Sequence, residues 1–149
     1  MYKEISANLA TVKEPTEDTA RIPCDVMEIC SDLKSLAQES FQILTLNGKN
    51  KVIDRHMITL GLVNKALAHP REVYRPAIAD SASAIILVHN HPSGDPTPSA
   101  EDIRVTRQLI DAGKIIGIHP LDHIIIGHPD SKGRDRYISL REEGLCEFS

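Results

Sequence analysis

Residues 84–102 read AIILVHNHPSGDPTPSAED. The first five are a continuous apolar run, which is typical of a central strand that is covered on both faces. Because successive side chains of a strand alternate between its two faces, a strand that continues to the histidines would direct His89 and His91 to one side and Asn90 to the other. The stretch therefore predicts a buried strand that brings two imidazoles to one place.

A helix is predicted directly after this strand. Ser99 and Asp102 have the spacing of a capping box, in which Ser99 is the N-cap and Asp102 is the third helical residue. The loop between strand and helix is conformationally restricted, so we expect it to turn the helix start back beneath the strand end. The residues that restrict it are Pro92, Gly94, Pro96 and Pro98. His89, His91 and Asp102 would then converge.

A group of two histidines and one aspartate is suited to bind a metal ion. Two imidazoles and one carboxylate give zinc three protein ligands and leave one position for water, as in catalytic zinc sites. Zinc lowers the pKa of a bound water to about 7 in the most active of these sites, and a nearby carboxylate is then needed to accept the proton. A histidine at a strand end and an aspartate in a first helical turn also occur without a metal. Their shared spacing favours metal binding here.

The rest of the chain alternates helices and strands. We predict a helix from Pro23 to about Ala37, hairpin strands over 41–46 and 51–60, a helix from Pro70 to about Ser81 and a helix from Ser99 to Ala112 that Gly113 ends. A strand near 119–126 follows, and then a short strand and a capped helical turn over 137–144.

Length and composition indicate one domain. The chain has 149 residues and is 41% hydrophobic, which suits a single core. We assign residues 1–21 to an N-terminal arm or strand and residues 22–149 to one globular domain. No run of 18 apolar residues and no signal-peptide pattern is present, so we expect a soluble, cytoplasmic protein without a membrane partner. Nothing in the sequence fixes the oligomeric state.

The net charge and the cysteine content argue against some classes of protein and of metal site. The net charge of −4 argues against a protein that coats nucleic acid by neutralising phosphates. The three cysteines contain no C-x-x-C pair, so neither a disulfide framework nor a thiolate metal site is expected.

The motif resembles that of a known superfamily. His89-x-His91-Pro92 followed by Ser99-x-x-Asp102 resembles the JAMM signature of the JAB/MPN metallohydrolases. The string HNHPSGDPTPS at 89–99, with HPREV at 69–73 and LDHIIIG at 121–127, resembles the RadC branch in particular. The resemblance covers roughly residues 22–146. Longer RadC proteins also carry a helix-hairpin-helix domain, which we do not expect to fit within the 149 residues of this chain.

The resemblance implies a fold and a chemistry. The fold would be a three-layer α-β-α domain with a central mixed sheet, similar to that of cytidine deaminases. One zinc ion would be held by His89, His91 and Asp102. Glu39, just ahead of the strand FQILTL, would be the general acid and base, with Glu72 as the reserve candidate. Ser99 would donate a hydrogen bond to the developing oxyanion.

The implied reaction is the hydrolysis of a peptide or isopeptide bond in a peptide or protein substrate, with a link to DNA repair. Two alternatives remain open. The first is a noncatalytic DNA-associated or partner-binding module in which the metal only stabilises the fold. The second is a metal-dependent nuclease, which is weaker because such enzymes commonly use hard metals and carboxylate-rich sites. A deaminase is weaker still, because the chain lacks an H-x-E pair with P-C-x-x-C.

The remaining histidines carry less information. His123 follows Asp122 and could orient a neighbour through an Asp-His hydrogen bond, but a structural polar residue at a strand start is the favoured interpretation. We interpret the other four as surface or turn residues; they are His56, His69, His119 and His128.

Overall fold

The computed structural model describes residues 13–61 and 68–148. The predicted N-terminal arm or strand falls largely on residues 1–12, which lie outside the described residues. Of the part that is described, Thr19 forms one isolated bridge with Lys51. The backbone of Ala20 also donates to the carbonyl of Asn50 at 2.9 Å. Residues 13–20 therefore run beside the end of the β-hairpin.

The described residues form one five-stranded mixed sheet and three α-helices. The elements are α1 (Pro23–Ile29), β1 (Ser40–Leu46), β2 (Val52–Leu60), α2 (Pro70–Ala79), β3 (Ala84–Asn90), α3 (Ala100–Ile116), β4 (His119–Ile126) and β5 (Tyr137–Ser139). The strand order is β2-β1-β3-β4-β5. Strands β3 and β4 are parallel, whereas the other neighbouring pairs are antiparallel. The predicted α/β class and central mixed sheet are confirmed.

Strand β3 lies in the middle of the sheet and is covered on both faces. Its residues Ile86 and Val88 belong to the core cluster that includes Val26 of α1. Ile85 and Leu87 belong to the opposite cluster, which contains residues of both α2 and α3. Helices on both faces explain the continuous apolar run of this strand. His89 continues the alternation and thus lies on the side of α2 and α3.

Helix α1 is shorter than predicted. It ends at Ile29, and a 3₁₀ helix at Ser31–Ser35 follows. The guanidinium of Arg55 donates to the backbone carbonyl of Ile29 at 3.4 Å and pairs with Asp32, so a residue from β2 bonds to the last turn of α1. The apolar spacing is nevertheless meaningful, because Val26 and Leu33 are both buried in the same cluster.

The prediction that Gly113 ends the third helix is wrong. Helix α3 continues to Ile116, and Gly117 adopts the left-handed conformation at its end, with φ 84°. Gly113 instead lies at a close contact inside the domain, since a Cβ atom there would be 2.5 Å from the Tyr74 hydroxyl and 2.6 Å from the carbonyl oxygen of Ile118. This glycine is required by packing and not by helix termination.

The other predicted elements agree with the structure apart from their ends. The hairpin of β1 and β2 is antiparallel, and α2 includes Pro76 within its ten residues. After β5 the chain forms a turn over 141–144, and the Ser139 hydroxyl accepts a hydrogen bond from the Glu142 backbone at 3.0 Å. The tail therefore contains a capped turn but no further helix among its described residues.

Candidate metal centre

Four side chains meet between the end of β3 and the start of α3. They belong to Glu39, His89, His91 and Asp102, and their ligand atoms all lie within 4.8 Å of one another. His91 Nε2 lies 3.0 Å from His89 Nε2 and 3.0 Å from Asp102 Oδ2. Asp102 Oδ1 lies 3.3 Å from His89 Nε2. The structure thus brings together the three predicted metal ligands and the predicted general base.

The position of Asp102 follows from the predicted capping box. The Ser99 hydroxyl accepts a hydrogen bond from the Asp102 backbone at 3.0 Å, and the Ser99 backbone donates to Asp102 Oδ2 at 2.8 Å. The carboxylate is therefore held at the first turn of α3 before any ligand binds. The cap bond uses a lone pair of the Ser99 hydroxyl and not its hydrogen.

The loop between His91 and Ser99 is held against the end of β4. The backbone of His91 donates to the carbonyl of Ile126 at 2.9 Å, and His128 donates to the carbonyl of Gly94 at 3.0 Å. Gly94 has φ 92°, a conformation that glycine adopts without strain. At Gly127 a Cβ atom would lie 2.2 Å from the Gly94 carbonyl oxygen, so the two segments pack backbone to backbone. This contact turns the loop back beneath the strand end.

The His91 ring is oriented by a backbone group. Its Nδ1 lies 2.9 Å from the carbonyl oxygen of Asp95. Because a carbonyl oxygen can only accept, Nδ1 carries the hydrogen, and a neutral His91 presents an unprotonated Nε2 to the cluster. The loop thus fixes which nitrogen of this histidine faces Asp102.

The ligand types and the spacing of the cluster suit a metal ion. Imidazole nitrogens and carboxylate oxygens are common zinc ligands, at about 2.0–2.2 Å from the ion. Two such atoms in a tetrahedral arrangement lie about 3.3–3.5 Å apart, close to the three separations measured among His89, His91 and Asp102. Lone pairs converge on one point there, an arrangement that a cation stabilises. We conclude that this group could hold a metal ion.

Electrostatics favour the ligand forms of the side chains. Burial disfavours ionisation of Asp102, but the contacts of its oxygens with the imidazoles of His89 and His91 and with the Ser99 backbone N–H outweigh burial and hold the pKa of this carboxyl well below its ordinary value. Burial lowers the pKa of His89, so that its imidazole stays neutral. A metal site needs a deprotonated carboxylate and neutral histidines. No proton has to leave His89 or Asp102 near neutral pH before a metal can bind.

Glu39 lies beside the three ligands. Its Oε1 is 3.8 Å from His89 Nε2, and its side chain is 25% exposed. It lines a cavity whose wall is partly apolar, with Phe41, Ala68 and Val105 among the lining residues. Glu72, the reserve candidate, lies in the first turn of α2, where its carboxylate is 3.6 Å from Arg71 and half exposed. Of the two glutamates, only Glu39 belongs to the cluster.

His123, a direct polar neighbour of His89, and Thr106, the polar neighbour of His123, were not predicted as parts of this site. His123 Nε2 lies 2.7 Å from His89 Nδ1, and His123 Nδ1 lies 2.6 Å from the hydroxyl of Thr106. Asp122 accepts a hydrogen bond from the backbone of His123 at 2.7 Å, so the expected Asp-His pair involves the main chain. The alternation of side chains along β4 could have indicated the position of His123. Ile124 and Ile126 pack on the side of α1, so His123 and Ile125 lie on the opposite face of the sheet.

His56 is not the surface or turn residue that we expected. Its Nε2 lies 2.6 Å from the buried carboxylate of Asp80. Asp54 joins them in a second group that could hold a metal ion. The Lys13 ammonium lies 2.6 Å from Asp54 and 2.8 Å from Asp80 and thus already supplies a cation there. His69 caps α2 by accepting a hydrogen bond from the Arg71 backbone at 3.2 Å.

No helix within the described part of the chain is both long and apolar enough to cross a bilayer.

Comparison of the sequence with known protein families identifies the family of this chain. The profile of the RadC-like JAB domain matches residues 20–145, which is most of the chain. The chain belongs to the RadC-like JAB domain family. This result confirms the resemblance that the motif at residues 89–102 indicated.

Relatives of this RadC-like domain have high identity but greater length. A UPF0758 protein of Caldanaerobacter subterraneus is 50% identical over 127 residues, which are 85% of this chain and 52% of the relative. One from Desulforamulus reducens is 48% identical over 143 residues, 95% of this chain and 60% of the relative. One from Listeria monocytogenes is 47% identical over 142 residues, 95% of this chain and 61% of the relative. The chain spans roughly half to three fifths of these relatives.

Proposed function

We propose that this RadC-like JAB domain is a zinc-dependent hydrolase that cleaves peptide or isopeptide bonds. The observation that carries the proposal is the convergence of His89, His91 and Asp102 beside the carboxylate of Glu39. Three ligands of these types are the set found in catalytic zinc sites, which keep a position for water or substrate. The substrate would be a peptide or protein.

His89, His91 and Asp102 would hold one zinc ion. When bound, zinc supplies Lewis acidity, which lowers the pKa of a water ligand and polarises a substrate carbonyl. Glu39, whose Oε1 lies 3.8 Å from His89 Nε2, would accept a proton from the attacking water and later deliver it to the leaving amine. General acid and base catalysis of this kind contributes about 10²–10⁴-fold to the rate.

Ser99 would contribute a hydrogen bond to the oxyanion. Its hydroxyl accepts from the Asp102 backbone, so its orientation is set by the first turn of α3 while its hydrogen is available to donate. A preorganised donor aimed at developing charge contributes about 3 kcal/mol in a transition state. Phe41, Ala68 and Val105 would help to exclude water from the reacting bond.

Metal content and hydrolysis together test the proposal. We expect purified protein to bind one equivalent of zinc, measured by inductively coupled plasma mass spectrometry after dialysis. His89→Ala and Asp102→Asn should lose it without unfolding, as monitored by circular dichroism; asparagine keeps an acceptor for the Ser99 backbone and is the milder change. If both variants unfold, the metal is structural and the noncatalytic alternative is favoured.

The hydrolytic step has its own assay. Incubation of zinc-loaded protein with a mixed peptide library in ¹⁸O-labelled water should yield products with one ¹⁸O in the new carboxyl group. His89→Ala serves as the control for contaminating proteases. Zinc binding without any ¹⁸O incorporation, for linear or lysine-branched peptides, would contradict the hydrolase. Cleavage of DNA under the same conditions would favour the nuclease instead.

A further inference from the structure

We propose that His123 and Thr106 are positioning residues that hold the hydrogen of His89 on Nδ1, and thereby aim the lone pair of its Nε2 at the metal position. This inference rests on the proposed metal site. It adds to that site two residues that do not contact the ion.

The three side chains form a continuous chain of polar atoms inside the domain. His89 Nδ1 lies 2.7 Å from His123 Nε2, and His123 Nδ1 lies 2.6 Å from the Thr106 hydroxyl oxygen. The Thr106 hydroxyl in turn lies 2.7 Å from the backbone carbonyl oxygen of Asp102. His89 is 2% exposed, and both His123 and Thr106 are 0% exposed. The hydrogen-bond partners of these rings are therefore protein atoms.

The backbone carbonyl of Asp102, which ends this series of polar contacts, sets the direction of every hydrogen bond in the series. A backbone carbonyl can only accept, so the single hydroxyl hydrogen of Thr106 is donated to Asp102. The hydroxyl oxygen then accepts from His123 Nδ1, which must carry a hydrogen. A neutral imidazole carries only one ring hydrogen, so with that hydrogen on Nδ1 the His123 ring has a lone pair on Nε2, which accepts from His89 Nδ1 at 2.7 Å.

These hydrogen-bond directions determine whether His89 Nε2, the nitrogen that faces the cluster, carries a hydrogen. With its hydrogen on Nδ1, a neutral His89 presents an unprotonated Nε2 at 3.3 Å from Asp102 Oδ1. The reverse order would place a hydrogen on Nε2, where it would donate to that carboxylate and compete with a metal ion. Outer partners of metal-ligating histidines commonly select the tautomer in this way, and their loss costs about 10–100-fold in metal affinity.

The aromatic ring of Phe41 and the pairing of β3 with β4 hold the two imidazoles in place. Phe41 stacks on His89 with centroids 5.7 Å apart and meets His123 edge-on at 5.5 Å. Both strands that carry the histidines lie side by side in parallel register, where His123 pairs with Leu87 and His89 pairs with Ile125. The spacing between the two imidazoles is therefore set by the sheet and not by flexible loops.

Two substitutions of Thr106 separate a hydrogen-bonding role from a packing role. Thr106→Val keeps the shape of the side chain but removes the hydroxyl, whereas Thr106→Ser keeps the hydroxyl but removes a methyl group. We expect Thr106→Val to weaken zinc binding by about 10–100-fold and Thr106→Ser to bind within about threefold of the wild type. The measurement is competition with a chromogenic chelator, with melting temperatures of the zinc-free proteins recorded in parallel. Equal zinc affinity for both variants would overturn the inference.

Nuclear magnetic resonance tests the hydrogen positions directly. In protein labelled with ¹⁵N-histidine, long-range ¹H–¹⁵N correlations should show His89 and His123 protonated on Nδ1 and His123 unprotonated on Nε2, with or without zinc. A hydrogen on His123 Nε2 would overturn the inference even if zinc binds. If the wild type binds no zinc, the proposed function fails, and the spectrum of the zinc-free protein still decides the arrangement of hydrogens.

Discussion

The carboxylate of Asp102 both caps helix α3 and belongs to the group of side chains that could hold a metal ion. Its Oδ2 accepts from the Ser99 backbone at 2.8 Å and lies 3.0 Å from His91 Nε2, while Oδ1 lies 3.3 Å from His89 Nε2. The capping box fixes the side chain without any ligand, so little conformational entropy remains to be lost when a metal binds. A site whose ligands are held by secondary structure is preorganised in the sense that catalysis requires.

The proposed role of Glu39 as general base can be tested by replacing a single atom of its side chain. Glu39→Gln keeps the shape of the side chain but cannot accept a proton, so we expect zinc content to be unchanged and hydrolysis to fall by about 10²–10⁴-fold. Glu72→Gln is the matched control, because Glu72 is half exposed on α2 and outside the cluster. Rates with the ¹⁸O peptide assay and zinc by mass spectrometry give both readouts. Full activity of Glu39→Gln, or loss of activity in Glu72→Gln, would show that the base is assigned to the wrong residue.

In helix α3, packing against neighbouring elements overrides the helix propensity of a residue at position 113. Alanine is favoured over glycine inside a helix by about 1 kcal/mol. At Gly113, however, a Cβ atom would lie 2.5 Å from the Tyr74 hydroxyl, which donates to the Leu109 carbonyl at 2.7 Å, and 2.6 Å from the backbone carbonyl oxygen of Ile118. The helix can therefore approach α2 and the start of β4 closely only with glycine at this position.

We accordingly expect Gly113→Ala to destabilise the protein. Overpacking costs about 1–3 kcal/mol, which should exceed the gain in helix propensity. Urea denaturation of the wild type and the variant measures the difference in the free energy of unfolding. Lys114→Ala changes an exposed residue of the same helix and should stay within about 0.5 kcal/mol of the wild type. Increased stability of Gly113→Ala would mean that the close contact relaxes without cost.

The elements near the metal position were predictable because their signals are local. The capping box at Ser99 and the alternation of His89 and His91 depend only on neighbouring residues, and both are present in the structure. The end of α1, the role of Gly113 and the contact of His123 with His89 depend on side chains distant in sequence. Such contacts require the strand register, which a single sequence does not specify.

At the scale of the whole molecule, a buried carboxylate links the N-terminal segment to the sheet and to α2. Asp80 follows the last residue of α2, and its side chain is 1% exposed. It accepts from the Thr45 hydroxyl of β1 at 2.8 Å, lies 2.6 Å from His56 Nε2 of β2, and pairs with Lys13 at 2.8 Å. One side chain thus joins four segments of the chain, and its charge should matter to global stability.

This arrangement predicts a specific pH dependence. Burial opposes ionisation of Asp80, but its bonds with His56, Lys13 and Thr45 outweigh burial and lower its pKa below the ordinary value. A carboxyl whose pKa is lower in the folded state contributes stability that is fully present above the unfolded-state pKa of about 3.9, and that is lost as the pH falls through the folded-state pKa. Asp80→Asn should therefore destabilise the protein by about 1–3 kcal/mol at pH 7. The gap between variant and wild type should narrow below about pH 4.

Urea denaturation at pH 7, 5 and 3 measures this gap, with both proteins compared at each pH so that the titration of other carboxyl groups cancels. Glu17→Gln is the control, because the Glu17 side chain is 100% exposed and its ion pair with Lys51 is on the surface. A surface pair of this kind contributes little, so the control should match the wild type within about 0.5 kcal/mol at every pH. A gap for Asp80→Asn that stays constant down to pH 3 would indicate that hydrogen bonding and packing, and not the charge of Asp80, hold these four segments together.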